Sequence, residues 1–289
     1  MVDCQLFITL PLSPFLKVAN MYKLIALDMD GTLLSPDGSI SARTKQAITD
    51  ARAKGVTVAL ASGRPLEGMT HYIEELGFNS DKDFAVCYNG GMVVCAKTGE
   101  TVRSQLLTGK DAKNIASLAN DLRVNVHAFT TRLGLITPKN NHYTEHEAVI
   151  NKLTITEIDF NELEDDEVVM KVMLIDPPEI LQKAVDALPA FLYEQYTVVR
   201  SAPFFLEIMN KNSHKAAGVS SLAEHLGIKQ QEVICMGDAG NDHHMIEWAG
   251  LGIAMGNADD ATKAIADYVT DTNANDGVAQ AIEKFVLNA

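Results

Sequence analysis

At 289 residues with a formal net charge of −14, the chain is longer than an average domain, so two domains or one domain with a large insertion are expected. Its acidity argues against a nucleic-acid or anionic-membrane partner, because either needs a basic patch; an anionic substrate must instead meet local positive charge or a metal. No apolar stretch reaches the length of a membrane span, and Cys4, Cys87, Cys95 and Cys235 form no C-x-x-C pair, so a reduced, cytoplasmic protein with buried thiols is expected.

Residues 1–20 hold an apolar patch, Leu6 to Leu10, with no basic stretch ahead of it. They read as a disordered or non-native leader, with Met21 as the natural start. The run Leu24-Ile-Ala-Leu then stops at Asp28-Met-Asp30-Gly31, as a buried parallel strand does where it reaches a functional edge. Alternation sends Asp28 and Asp30 the same way, and two carboxylates so close repel unless a cation sits between them or one carries a proton. By itself the tetrapeptide is equally a solvated turn. An EF-hand is excluded, since a strand precedes it and its twelfth position is Ser39 instead of Glu.

From Ser39 the pattern is helical, with Ala47, Ile48 and Ala51 on one face, Ser39 or Ser41 as cap and Gly55 as stop. A second apolar run, Val56 to Ala61, delivers Ser62-Gly63-Arg64-Pro65. Pro65 suits the first turn of a helix whose stripe is Leu66, Met69, Ile73 and Leu76. Ser62 and the Gly63 amide then lie at a helix N-terminus, a ready anion site; Ser62 alone reads as an N-cap.

Between about residues 86 and 210 short strands dominate, starting with a hairpin about Lys97-Thr-Gly-Glu100 and interrupted by helices near 110–122, 141–151 and 178–188. This reads as an α+β domain inserted into an α/β one, entered through Asn89-Gly90-Gly91. Within it His142-Tyr-Thr-Glu145-His146 matches the inverted zinc-peptidase pattern, with a polar exposed helix as the plain alternative. After residue 210 the α/β grammar returns. Lys215 falls in the first turn of a helix over 215–226, where a cation opposes the helix dipole unless it faces an anion. The strand Glu232 to Met236 ends in Gly237-Asp238-Ala-Gly-Asn241-Asp242, carboxylates again at a strand's carboxyl edge.

In this order, Asp28-x-Asp30-Gly-Thr32, Ser62-Gly63-Arg64, Lys215 and Gly237-Asp238-x-x-Asn241-Asp242 resemble the haloacid dehalogenase-like phosphohydrolases, most of all the Cof-type sugar-phosphate phosphatases, from Met21 to the C-terminus. One departure is local: His214-Lys215-Ala216 stands where the family often has Asn-Lys-Gly. The resemblance implies a Rossmann-like doubly wound parallel sheet over 21–88 and 210–289, with an α+β cap over 89–209. It further implies that Asp28 is the nucleophile and Asp30 the acid and base. Ser62, with Gly63 beside it, Lys215 and Asn241 would bind the phosphoryl group. Mg²⁺ would be held by Asp28, the Asp30 carbonyl, Asp238 and Asp242. The partner would be a small phosphorylated metabolite, with Arg64 and Asn89 touching it or the closing cap. Two other readings are a phospho-acceptor switch, which has no use for Asp30 or the insertion, and a zinc peptidase built on His142 and His146.

Overall fold

The computed structural model describes residues 22–288; the expectation of a leader over residues 1–20 lies outside them. Strand β1 (Leu24–Leu27) is apolar throughout because it is covered on both sides. Leu24 and Ala26 face one helical layer, and Ile25 and Leu27 face the other. Helix α1 (Ala42–Ala53) begins where Ser41 Oγ accepts from Thr44 N at 3.1 Å. It is followed by β2 (Thr57–Ala61), α2 (Thr70–Glu75), β3 (Phe84–Cys87) and the hairpin β4 (Met92–Cys95) and β5 (Thr101–Ser104). A second group then intervenes: β6 (Leu107–Thr108), α3 (Gly109–Asp121), β7 (Asn125–Thr130), β8 (Gly134–Thr137), α4 (His142–Asn151), β9 (Ile155–Glu157), β10 (Val168–Ile175), α5 (Pro178–Asp186), α6 (Ala190–Gln195), β11 (Tyr196–Ala202) and β12 (Phe205–Asn210). The chain continues through α7 (Lys215–His225), β13 (Val233–Gly237), α8 (His243–Trp248), β14 (Leu251–Ala254), α9 (Asp260–Ile265), β15 (Tyr268–Val269) and α10 (Gly277–Ile282).

The first sheet has the order β15-β14-β13-β1-β2-β3-β4-β5, parallel from β15 to β3. Helices α1, α2 and α10 bury their apolar residues on one face, and α7 and α8 on the other, which is the doubly wound arrangement expected. The chain leaves β1 towards β2 and later returns to β13 on its other side, so the carboxyl ends of β1, β2, β3 and β13 converge at a topological switch point. The second sheet runs β11-β12-β10-β7-β8-β9, with β6 beside β10. Helices α3 and α5 cover the face that holds Val169, Val172 and Leu174, while Phe129, Met173 and Phe205 on the opposite face join the apolar cluster of the first sheet.

The sequence pattern assigns everything from residue 89 to 209 to the insertion, and here the sheet pairing differs. Hairpin β4–β5 extends the first sheet, with Met92–Cys95 antiparallel to β3. Short antiparallel strands look alike on either side of the crossing, so their pattern cannot locate it. The two passages between sheets lie near Gln105 and Ser213 and are tied together. Ser213 Oγ donates to Gln105 O at 2.9 Å, Asn210 Nδ2 to Leu106 O at 3.2 Å and Arg103 to Asn212 O at 2.8 Å.

Tyr88, Asn89 and Gly90 leave β3 with φ of 52°, 51° and 90°, so the backbone turns in the left-handed region for three residues. Gly90 is needed twice over, since a Cβ there would also overlap the His214 carbonyl at the start of α7. Gly90→Ala should therefore lower the unfolding free energy by about 2 kcal/mol or more. An unchanged denaturant midpoint would show that the backbone relaxes instead.

Candidate active site

The site starts where β1 runs out. Asp28 keeps the strand's pairing, donating its N–H to Met236 O at 3.0 Å, and its side chain is buried. Lys215, the first residue of α7, has no solvent exposure and donates to Asp28 Oδ1 and, at 2.7 Å, to Asp242 Oδ1. That pairing accounts for an ammonium at the positive end of a helix. The other oxygen of Asp242 accepts from the amides of Asp238 and Ala239 at 3.0 and 3.1 Å. Asp238 is oriented in turn by Thr32, whose Oγ1 donates to Asp238 Oδ1 at 2.9 Å. Gly31, at φ +87°, lets the β1 turn close on this carboxylate, because a Cβ there would overlap Asp238 Oδ2. One oxygen from each of Asp28, Asp238 and Asp242 lies within 4.8 Å of the others.

Three carboxylates thus surround a single ammonium. Burial, and next the charge of Asp242, hold the Asp28 carboxyl well above the usual range, with Lys215 opposing them. Asp238 is raised too, chiefly by burial. Burial works against the Lys215 cation, but Asp242 and Asp28 outweigh it and raise its pKa. The donor set is all oxygen, carries surplus negative charge and is partly desolvated, which fits a hard divalent cation.

Asp30 is not in this cluster. Its carboxylate, largely exposed, takes a bidentate pair from Arg64: Nε to Oδ2 at 2.9 Å and Nη2 to Oδ1 at 2.6 Å. The expectation that Asp28 and Asp30 point together fails because the strand ends at Leu27. Leu33 N bonds Asp28 O and Leu34 N bonds Met29 O, a turn that breaks the alternation. The repulsion on Asp28 comes from Asp242 and Asp238 instead. Arg64 is steadied by the Tyr72 ring, 5.6 Å from its guanidinium carbon, and donates to Gly68 O.

The helix expected from Pro65 begins only at Thr70. Residues 65–69 form successive turns, Gly68 N to Pro65 O and Met69 N to Leu66 O, around a glycine that disfavours helix. Ser62 and Gly63 therefore do not stand at a helix N-terminus. Ser62 is buried and its Oγ accepts from Arg64 N at 3.2 Å, which caps the loop. Gly63 lies against the Asn89 side chain, whose Oδ1 accepts from Asn241 Nδ2 at 3.1 Å. Gly63, Asn89 and Asn241 thus form one polar rim.

Comparison with known proteins decides the family. The profile of the haloacid dehalogenase-like hydrolases matches residues 25–282. The chain belongs to this family. It is 39% identical over 269 residues to YxeH of Bacillus subtilis, covering 92% of this chain and 99% of the relative. To the 5-amino-6-(5-phospho-D-ribitylamino)uracil phosphatase YcsE of the same organism it is 34% identical, over 92% of this chain and 96% of that one. A haloacid dehalogenase-like hydrolase from Bacteroides thetaiotaomicron superposes with a TM-score of 0.81 at 34% identity, over 91% of this chain and 99% of that one. The subclass IIB sugar phosphatase BT4131 superposes at 0.76 and 25%, over 91% and 98%.

For a haloacid dehalogenase-like hydrolase, the zinc pattern on α4 has no function to fill. Among the described residues the one group of three or more metal-binding side chains is Asp28, Asp238 and Asp242. His146 packs against Phe204 and Phe205, and Glu145 accepts from Asn140; among the described residues no third ligand joins His142 and His146. Sequence reasoning did not single out Thr32 as a support for Asp238, although it directly follows the glycine of the first motif. It also missed Asn257, which donates to Gly31 O at 2.8 Å and carries no local signal.

Asp242→Asn removes one partner of a buried ion pair while keeping the side chain's shape. It should cost about 3–5 kcal/mol of stability, read as a lower urea midpoint; a shift below a fifth of that would mean that Lys215 finds another partner.

Proposed function

We propose that this hydrolase cleaves phosphate monoesters of small metabolites, sugar phosphates foremost, with Mg²⁺ and a covalent aspartyl-phosphate. The carrying observation is Asp28, buried at the carboxyl end of β1 and bound by the Lys215 ammonium. The names of YcsE and BT4131, a phosphatase of a phosphorylated ribityl compound and a sugar phosphatase, support the substrate class. Asp28, Asp238 and the Asp30 carbonyl would hold Mg²⁺, with Asp242 adding charge while bonded to Lys215 and the loop amides. Bound there, the ion would offset the charge between the anionic nucleophile and an anionic phosphate.

In the first step an Asp28 oxygen attacks phosphorus in line, the ester P–O bond breaks, and Asp30 gives its proton to the departing sugar oxygen. In the second step water attacks the aspartyl-phosphate, Asp30 takes the water's proton, and inorganic phosphate leaves. Lys215, the Ser62 hydroxyl, the Gly63 amide and Asn241 hold the non-bridging oxygens. Arg64 serves both Asp30 and substrate: an incoming phosphate competes for the guanidinium and frees Asp30 to meet the leaving group. The second sheet, tied to the first at Gln105 and Ser213, is the cap that selects the sugar and excludes water.

Asp28→Asn should leave less than about a tenth of parental phosphate release, and in practice far less, because an amide does not attack phosphorus; greater retention would sink the nucleophile assignment. Asp30→Asn should depress turnover of sugar phosphates much more than that of p-nitrophenyl phosphate, whose leaving oxygen needs little protonation. Equal losses would count against an acid role.

The raised Asp28 carboxyl also predicts a metal-linked pH effect. A folded pKa above the unfolded one gives stability that is complete at low pH and is lost as pH rises through the folded value. Mg²⁺ should relieve that loss, so its thermal shift on EDTA-treated protein should be larger at about pH 8 than at about pH 5. A shift independent of pH would separate the ion from Asp28.

A further inference from the structure

His214 immediately precedes Lys215 and occupies the N-cap of α7, with φ −144° and ψ 153°. Its imidazole Nδ1 accepts the Ala217 N–H at 3.2 Å. A histidine can do this only with Nδ1 unprotonated and the remaining proton on Nε2. The ring is half-buried and lies over His244, with centroids 5.1 Å apart. The groups that press on the charged form of this ring are His244 of α8 and Arg103 of β5. Arg103 is fixed there by bonds to Gly90 O, Ser221 Oγ and Asn212 O. Asp242, the carboxylate that Lys215 bonds beside Asp28, is committed to the loop amides as well.

We propose that His214 is a positioning residue: its unprotonated Nδ1 caps the helix that begins at Lys215 and so holds that ammonium between Asp28 and Asp242. Lys215 is at the first helical position, so fraying of the first turn moves its Cα, and its side chain can no longer bridge two buried carboxylates. Protonation turns the acceptor into a donor aimed at the Ala217 N–H and places a second cation beside Arg103. Burial first, then His244 and Arg103, hold the imidazole below its ordinary value of 6.5. The neutral ring's contribution is therefore present above that value and is lost as pH falls through the lower folded one. His214 thus supplies an acid-side limit to activity that an asparagine cap would not.

This inference rests on the phosphatase reading of Lys215, and its test separates the two. Nitrogen-15 NMR of the His214 ring should show the tautomer with a bare Nδ1 at neutral pH, whether or not the protein releases phosphate. In p-nitrophenyl phosphate assays, His214→Ala should lower kcat roughly fivefold to tenfold at neutral pH with little change in KM, as expected for a lost cap. His214→Asn should rescue most of that loss, since asparagine caps well, and should move the acid limb of the kcat profile to lower pH. A protonated Nδ1 at neutral pH would overturn the proposal. So would an Ala variant with parental kcat, or an Asn variant whose acid limb coincides with the parent's. If the Ala variant does not fold, the Asn profile and the ring spectrum still decide. Failure of the parent to hydrolyse any phosphate ester would overturn the function, while the ring tautomer would still decide whether His214 caps α7.

Discussion

The structure depends on one buried ammonium. Lys215 is fully enclosed, which is tolerable only because Asp28 and Asp242 both accept from it. Those two carboxylates come from opposite parts of the chain, the end of β1 and the turn after β13. The ion pair therefore fixes the parallel strands around β1 against each other and against α7. The same chain buries a second lysine, Lys171 of β10, and solves the problem alike: Glu147 and Glu207 accept from it at 3.4 and 3.2 Å. The difference lies in what surrounds each pair. Lys171 has the Phe129 ring at 4.6 Å, whereas Lys215 has Asp238 close by as a further carboxylate. Both sets carry more carboxylate than ammonium, but Asp238 adds a further negative charge beside Lys215, at a strand end where a ligand can answer it.

Much of this was legible because local pattern and tertiary role agree along β1, α1, α7 and β13. An uninterrupted apolar run that ends in a carboxylate has few explanations, and a lysine in the first turn of a helix demands an anion. The unread parts are those decided by distant residues. The direction of Asp30 is set by Arg64, 34 positions later, and by a turn that overrides strand alternation. The delayed start of α2 reflects turn bonds and a glycine that outweigh the proline signal. Hairpin β4–β5 joins the first sheet because β3 offers it an edge, and nothing in the hairpin's own sequence encodes that choice.

The role of Asp242 shows a subtler limit. Its place in a run of acidic residues after β13 suggests another metal ligand, yet both its oxygens are already bonded, one to Lys215 and the other to two amides. In the proposed reaction it would act by adding charge and by holding the Asp238 loop and Lys215 in place. Sequence gives the charge of such a residue and leaves open whether that charge meets the ligand or the protein.

Asn89 joins the two sheets at the site. It sits in the left-handed region beside Tyr88, a conformation that costs a non-glycine residue on the order of 1 kcal/mol or more. Such strain persists only where surrounding contacts fix it, and here they do. Asn89 Oδ1 accepts from Asn241 and its side chain abuts Gly63, while its Nδ2 lies 4.0 Å from Met209 Sδ on β12 of the second sheet. A relaxed backbone at this position would withdraw the amide from all three. The strained turn is therefore the point at which the position of the second sheet can be felt by the rim of Gly63 and Asn241.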